Sequence, residues 1–144
     1  MFITPAVRDK IEGHLRSLQD MSDWLDRLCR TDEAWEQEMT YRLAAERAIW
    51  RALESTTDIC SEIIDALVMR DAGGYADMLK VLHEENVIDT DCYHRLSRLV
   101  PLRSRLLRQQ DRVTSTEIRE AVEEHRLDFE SFMRQIRVFL GRVS

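Results

Sequence analysis

Glycine and proline are scarce, four and two among 144 residues, where average usage would supply roughly 12% of a chain. A β-sandwich or a dinucleotide-binding α/β fold needs both for its many turns, so the chain reads as helices joined by few, short connections. Lysine is scarcer still: only Lys10 and Lys80 stand beside nineteen arginines. No run approaches the ~18 apolar residues of a membrane span, and Met1-Phe2-Ile3-Thr4-Pro5 is no signal peptide. Three cysteines, Cys29, Cys60 and Cys92, are odd in number, far apart and without a Cys-x-x-Cys pair. They predict reduced thiols on packed helix faces in a cytoplasm, not a disulfide framework or a zinc site.

What is present is a core and a charged surface. With 44% hydrophobic and 33% charged residues, the chain has the material of one globular domain, residues 1–144, and is not a disordered tail. The net charge of −6 argues against a protein that coats nucleic acid with its whole surface.

Periodicity predicts five helices in an antiparallel bundle. Thr4 as N-cap and Pro5 at the first helical position open a helix whose apolar stripe runs Val7, Ile11, His14, Leu18, Met21, Leu25, Leu28. Thr31-Asp32-Glu33 caps a long second helix, carrying Trp35, Met39, Leu43, Trp50, Leu53, Cys60, Ile64 and Leu67, that stops at Ala72-Gly73-Gly74. A short third helix holds Tyr75, Met78, Leu79 and Leu82 before Asn86. The fourth starts at Asp89-Thr90-Asp91 and runs through Cys92, Leu96, Leu99, Arg103 and Leu106, kinked by Pro101. After a loop at 109–114, Thr114 and Glu117 have capping-box spacing, and the last helix shows the stripe Ile118, Val122, His125, Phe129, Phe132, Ile136, Phe139. Five seams leave apolar surface that a homodimer would bury.

Most familiar chemistries lack their residues. A di-metal carboxylate bundle wants Glu-x-x-His on two helices; Asp91-x-x-His94 is the nearest approach, occurs once, and reads as a helix start. No metal site and no cofactor site is expected, and the glycines of a phosphate-binding loop are missing. His125 beside Glu123 and Glu124 invites an acid–base role, yet its place on a helix seam predicts a hydrogen-bonded core histidine, as for His14.

One segment departs from the pattern. Residues 95–112 hold six arginines (Arg95, Arg98, Arg103, Arg105, Arg108, Arg112) against one acid, Asp111, a local charge of +5 that leaves −11 for the remainder. Arg103 occupies a position in the apolar stripe. A guanidinium there must reach a carboxylate on another helix or subunit, or contact a phosphate or RNA, for which its planar fork is suited.

Around this segment the chain resembles the HepT-like HEPN family, over roughly residues 6–140. The likeness rests on Glu46-Arg47-Ala48-Ile49-Trp50 to Ile63-Ile64, on Tyr75 to Ile88, on Leu99-Val100-Pro101-Leu102-Arg103, and on Val122-Glu123-Glu124-His125 through Asp128-Phe129 and Phe132. Met69-Arg70-Asp71 with Tyr75 and Asp77 is similar to its YutE-like branch. The resemblance implies an all-α bundle that forms a homodimer, an RNase toxin activity that needs no metal, and a nucleotidyltransferase antitoxin as partner. The family signature is Arg, four residues, His, one residue, Tyr. Arg103 matches the Arg and Ser104 the polar place after it, whereas Arg108 falls on the His and Gln110 on the Tyr that the antitoxin modifies with AMP. Arginine stays protonated below pH ~12 and cannot exchange a proton near neutrality, though it can bind phosphate. Three functions follow: a catalytically degenerate module binding RNA or a nucleotidyltransferase-like partner, an active RNase, or a scaffolding helical dimer. Any RNA or anion contact is expected at Arg103, Ser104, Arg105 and Arg108, with Arg103 the surviving catalytic position.

Overall fold

The computed structural model describes residues 2–31 and 33–143, with the backbone alone described at Gln110. Among these residues the chain forms seven α-helices and two short 3₁₀ turns, and no strand. The helices are α1 (Pro5–Cys29), α2 (Met39–Ala66), α3 (Tyr75–Glu84), α4 (Thr90–Ser97), α5 (Val100–Arg108), α6 (Ser115–His125) and α7 (Asp128–Arg142). No helix among the described residues is long and apolar enough to cross a membrane.

The long helices α1 and α2 pack antiparallel. His14 lies opposite Asp58 and Ser17 accepts from Arg51, so one residue number rises as its partner's falls. α7 runs back along α1 in the same sense: Arg8 donates to the Leu140 carbonyl, and Arg126, just before α7, pairs with Asp26. Between them lies a core that includes Ile11, Leu15, Leu18, Leu25, Ile49, Leu53, Ile59, Ile63, Phe129, Phe132 and Ile136, all essentially inaccessible to solvent. α3 packs on α2, and α4 on α3 and α7, while α5 and α6 lie against α2.

Two of the five expected helices are each split. Pro101 does not kink one helix; it sits in the first turn of a new one, α5, where its missing N–H is harmless. Arg98 and Leu99 turn the corner with bonds to the carbonyls three residues back, Arg95 and Leu96. The last expected helix breaks at Arg126–Leu127 into α6 and α7. Both residues keep right-handed helical torsions, so the apolar stripe stays in phase across the break and periodicity cannot see it.

The bounds of α2 also differ from expectation. Thr31 turns its hydroxyl back to the Leu28 carbonyl, 2.9 Å away, and so closes α1 instead of capping α2; Asp32 lies outside the described residues. A 3₁₀ turn, Trp35–Gln37, buries Trp35 before α2 begins at Met39. At the other end α2 stops at Ala66, not at Gly73–Gly74. Val68 takes the left-handed conformation, φ 52°, and the Val68 and Met69 N–H groups bond back to Asp65 and Ile64. This is a Schellman stop built on valine rather than glycine. Asn86, φ 59°, ends α3 in the same way. Gly74 is extended and flanks the start of α3.

Candidate functional site

α5 carries Arg103 on the face turned toward α2 and α3. The guanidinium Nη2 donates to Glu54 Oε1 at 3.3 Å, and its carbon lies 5.1 Å from the centre of the Tyr75 ring and 5.9 Å from that of Trp50. Trp50 and Glu54 are one turn apart on α2, so a single helix supplies an aromatic face and a carboxylate to the same cation. Arg103 Nε and the Tyr75 hydroxyl are both buried without a hydrogen-bond partner among the described residues. Burial pushes the Tyr75 phenol well above its usual range, so it stays a neutral hydroxyl. An inter-helix ion pair, one of the two roles open to Arg103 in the sequence, is therefore in place. Trp50, Glu54 and Tyr75 were not singled out there as its partners. The i, i+4 spacing of Trp50 and Glu54 is the one signal the sequence offered.

The other arginines of the basic segment are mostly engaged. Arg105 pairs with Glu117 and donates to the Arg112 carbonyl at 2.6 Å. Hydrogen bonds from Arg105 hold the Glu117 carboxyl below its usual range, while that carboxylate also completes the capping box with Thr114 at the start of α6. Arg98 lies 3.6 Å from Glu124, and Arg95 Nε donates to Asp128 Oδ1 at 2.6 Å. Ser104 and Arg108 are exposed. Among the described residues Arg108 makes no ion pair. The Gln110 side chain lies outside the described residues. Thus Arg103 and Arg105 point their charge at carboxylates of α2 and α6, and Arg108 turns its own toward solvent.

His125 is the buried, hydrogen-bonded histidine its stripe predicts. Its Nδ1 lies 2.7 Å from Asp128 Oδ2. His14 is half-buried, 3.8 Å from Asp58, too far for a hydrogen bond. Asp89 caps α4 through the Cys92 N–H, which agrees with reading Asp91-x-x-His94 as a helix start. Among the described residues no group of three or more His, Cys, Asp or Glu is placed to hold a metal ion. All three cysteines are free thiols, and burial pushes Cys92 up to about 12.

The geometry defines an all-helical bundle in which an arginine-bearing helix, α5, lies against α2. The family model "Ribonuclease HepT-like" matches residues 13–136, and the chain belongs to this family. It is 29% identical over 133 residues to the Bacillus subtilis (strain 168) protein YutE, provisionally named an RNase, covering 92% of this chain and 89% of YutE. The solved structure of YutE, described as a cytosolic protein of unknown function, superposes with a TM-score of 0.87 at 25% identity over 99% of this chain and 94% of that one. A toxin–antitoxin complex with AMP-PNP matches with a TM-score of 0.81 at 18% identity, over 90% of this chain and 98% of that one. The tri-AMPylated Shewanella oneidensis HEPN toxin, in complex with its MNT antitoxin, matches at 0.79 and 18% identity over 89% and 96%. At that identity these two speak for the fold.

Proposed function

We propose that this chain is a catalytically degenerate HepT-like module that binds single-stranded RNA through α5, acts as a homodimer in the cytoplasm, and has a nucleotidyltransferase-type antitoxin as its protein partner. The observation that carries the reading is Arg108. At the place of the family's proton-transferring His stands an exposed guanidinium that cannot give up a proton. It can still neutralise a phosphate. Gln110 offers no hydroxyl for AMP, so a partner of the MNT kind would bind this chain without marking it at that position. The toxin–antitoxin neighbours support such a partner by fold.

The test is a repair. Wild-type protein gives no RNA cleavage above background, since losing a positioned acid or base costs ~10²–10⁴-fold. Arg108→His with Gln110→Tyr restores the signature around Arg103 and gains cleavage that a further Arg103→Ala removes. Robust cleavage by wild type, abolished by Arg103→Ala, overturns the degenerate reading in favour of an active RNase. Absence of RNA binding by the wild type, with no nucleotidyltransferase recovered alongside it from its host, leaves a scaffolding dimer.

A further inference from the structure

Arg103 is tied to its carboxylate more loosely than its neighbours are to theirs. Its Nη2 reaches Glu54 Oε1 at 3.3 Å, beyond the usual N–H···O range, and among the described residues the guanidinium makes no other hydrogen bond. Arg105, by contrast, bonds both oxygens of Glu117 and the Arg112 carbonyl. Arg95 bonds Asp128 and the Glu124 carbonyl at 2.6 Å and 2.8 Å. Most of the five N–H donors of Arg103 thus have no protein acceptor. The Glu54 side chain is 39% exposed, against 10% for Asp128, so it can turn into water without leaving a buried charge behind. Around Arg103 there would remain the aromatic faces of Tyr75 and Trp50. These orient a cation without cancelling its charge.

We propose that Glu54 is a built-in competitor for RNA: it occupies Arg103 in the free protein and yields the guanidinium to an incoming phosphate. The inference rests on the RNA-binding reading above and says how that binding is limited. A carboxylate and a phosphodiester each offer one negative charge and two oxygens to the same planar fork. They are rivals for one cation. Arg108, already exposed, meets the strand without displacing anything on the chain, whereas Arg103 exchanges one anion for another. After the exchange Glu54 still stands on α2 beside the phosphate, and the two like charges repel. Affinity is thereby held below what the arginines alone would deliver. The other candidate partner of this kind, Glu117, is excluded by its second duty, since it also completes the capping box of α6.

Fluorescence anisotropy with a labelled all-uridine RNA octamer tests this on the full chain, at about 0.15 M salt, where the Debye length is ~8 Å. Glu54→Gln removes the charge, keeps the shape and leaves an amide oxygen for Nη2. It binds the octamer about fivefold tighter than wild type, the effect of one unit charge at ~4 Å in water. Glu54→Ala, shown to be folded by circular dichroism, gains similarly. The gain shrinks toward 1 M salt, where the Debye length falls to ~3 Å. Asp65→Asn makes the same charge change at an exposed site on α2, roughly 16 Å along the helix at ~1.5 Å per residue, and leaves affinity unchanged. In an Arg103→Ala background Glu54→Gln brings no gain. Unchanged or weaker binding by folded Glu54→Gln and Glu54→Ala overturns the competitor. So does an equal gain in Asp65→Asn, or a gain that persists in Arg103→Ala, because net charge then accounts for it. In each of those cases weaker binding by Arg103→Ala/Arg108→Ala leaves the RNA-binding reading standing. Absence of octamer binding by both wild type and Glu54→Gln overturns the two together.

Discussion

Asp128 is fixed by two helices at once. Its carboxylate takes 2.6 Å and 2.7 Å contacts from Arg95 and His125, and Arg95 also donates to the Glu124 carbonyl at 2.8 Å. Burial works to raise the carboxyl, yet the hydrogen bonds from His125 and Arg95 outweigh it and hold it below its usual value. The folded-state value is thus depressed. Its contribution to stability is present above the unfolded carboxyl's ~3.9 and lost as pH falls through the lower folded value. Asp128→Asn should cost about 3 kcal/mol at neutral pH, because a buried pair loses one partner. In urea melts the gap between variant and wild type should narrow below about pH 4; a gap constant from pH 7 to pH 3 would show that the carboxylate's charge does not matter. At this scale the sequence was half legible. His125 on an apolar seam had to find a hydrogen-bond partner, and Asp128, three residues on, lay on the same face. Arg95, on α4, carried no such local sign.

Helix ends show where local rules hold and where they bend. The capping box of α6 formed as Thr114 and Glu117 spacing requires, and Thr4 and Asp89 cap α1 and α4 through their side chains. The end of α2 went against composition. Two glycines stood ready at 73–74, yet the helix stops six residues earlier on Val68, a β-branched residue at φ 52° with 77% of its surface exposed. Left-handed torsions cost an L-residue roughly 1–2 kcal/mol that glycine does not pay. Part of the gain from glycine is offset by its freer unfolded chain. Val68→Gly should therefore stabilise the protein by about 0.5–1 kcal/mol in chemical denaturation, and Val68→Ala, which retains a Cβ, should not. A destabilised Val68→Gly would mean that the valine side chain itself holds the turn.

Across the whole molecule, folding redistributes the charge that composition displays. The +5 of residues 95–112 is met by Asp128, Glu124, Glu54 and Glu117, brought in from α7, α6 and α2. On the proposed RNA-binding reading, contact is therefore expected at Arg108 and the exposed edge of Arg103, not at all six arginines. Neutralising two phosphates of a single strand gives a slope of log affinity against log salt of about −1.4. A slope beyond about −4 in an anisotropy titration would require the ion pairs to open and all six arginines to engage. The expected homodimer would bury apolar side chains that the single chain leaves exposed, Leu43, Leu107, Leu127 and Val138 among them. Sedimentation at micromolar concentration should give about twice the 17.0 kDa chain mass; a clean single-chain species would refute the dimer.

The sequence by itself determined the helical class, most of the buried face of each helix, and membership of the HepT-like family. All of these are carried by side chains three or four residues apart or by short motifs. It also placed Arg103 on an apolar stripe. Only the tertiary structure decided what the arginines meet. Glu54 is 49 residues from Arg103, and Asp128 is 33 from Arg95. Neither separation has a helical period, so each pair exists only because α2 and α7 pack where they do. The two helix breaks were likewise hidden, since right-handed torsions at Arg126 and Leu127 preserve the phase while the hydrogen-bond ladder stops. Periodicity reports which face is buried; it takes the packed chain to show which charge lies against which.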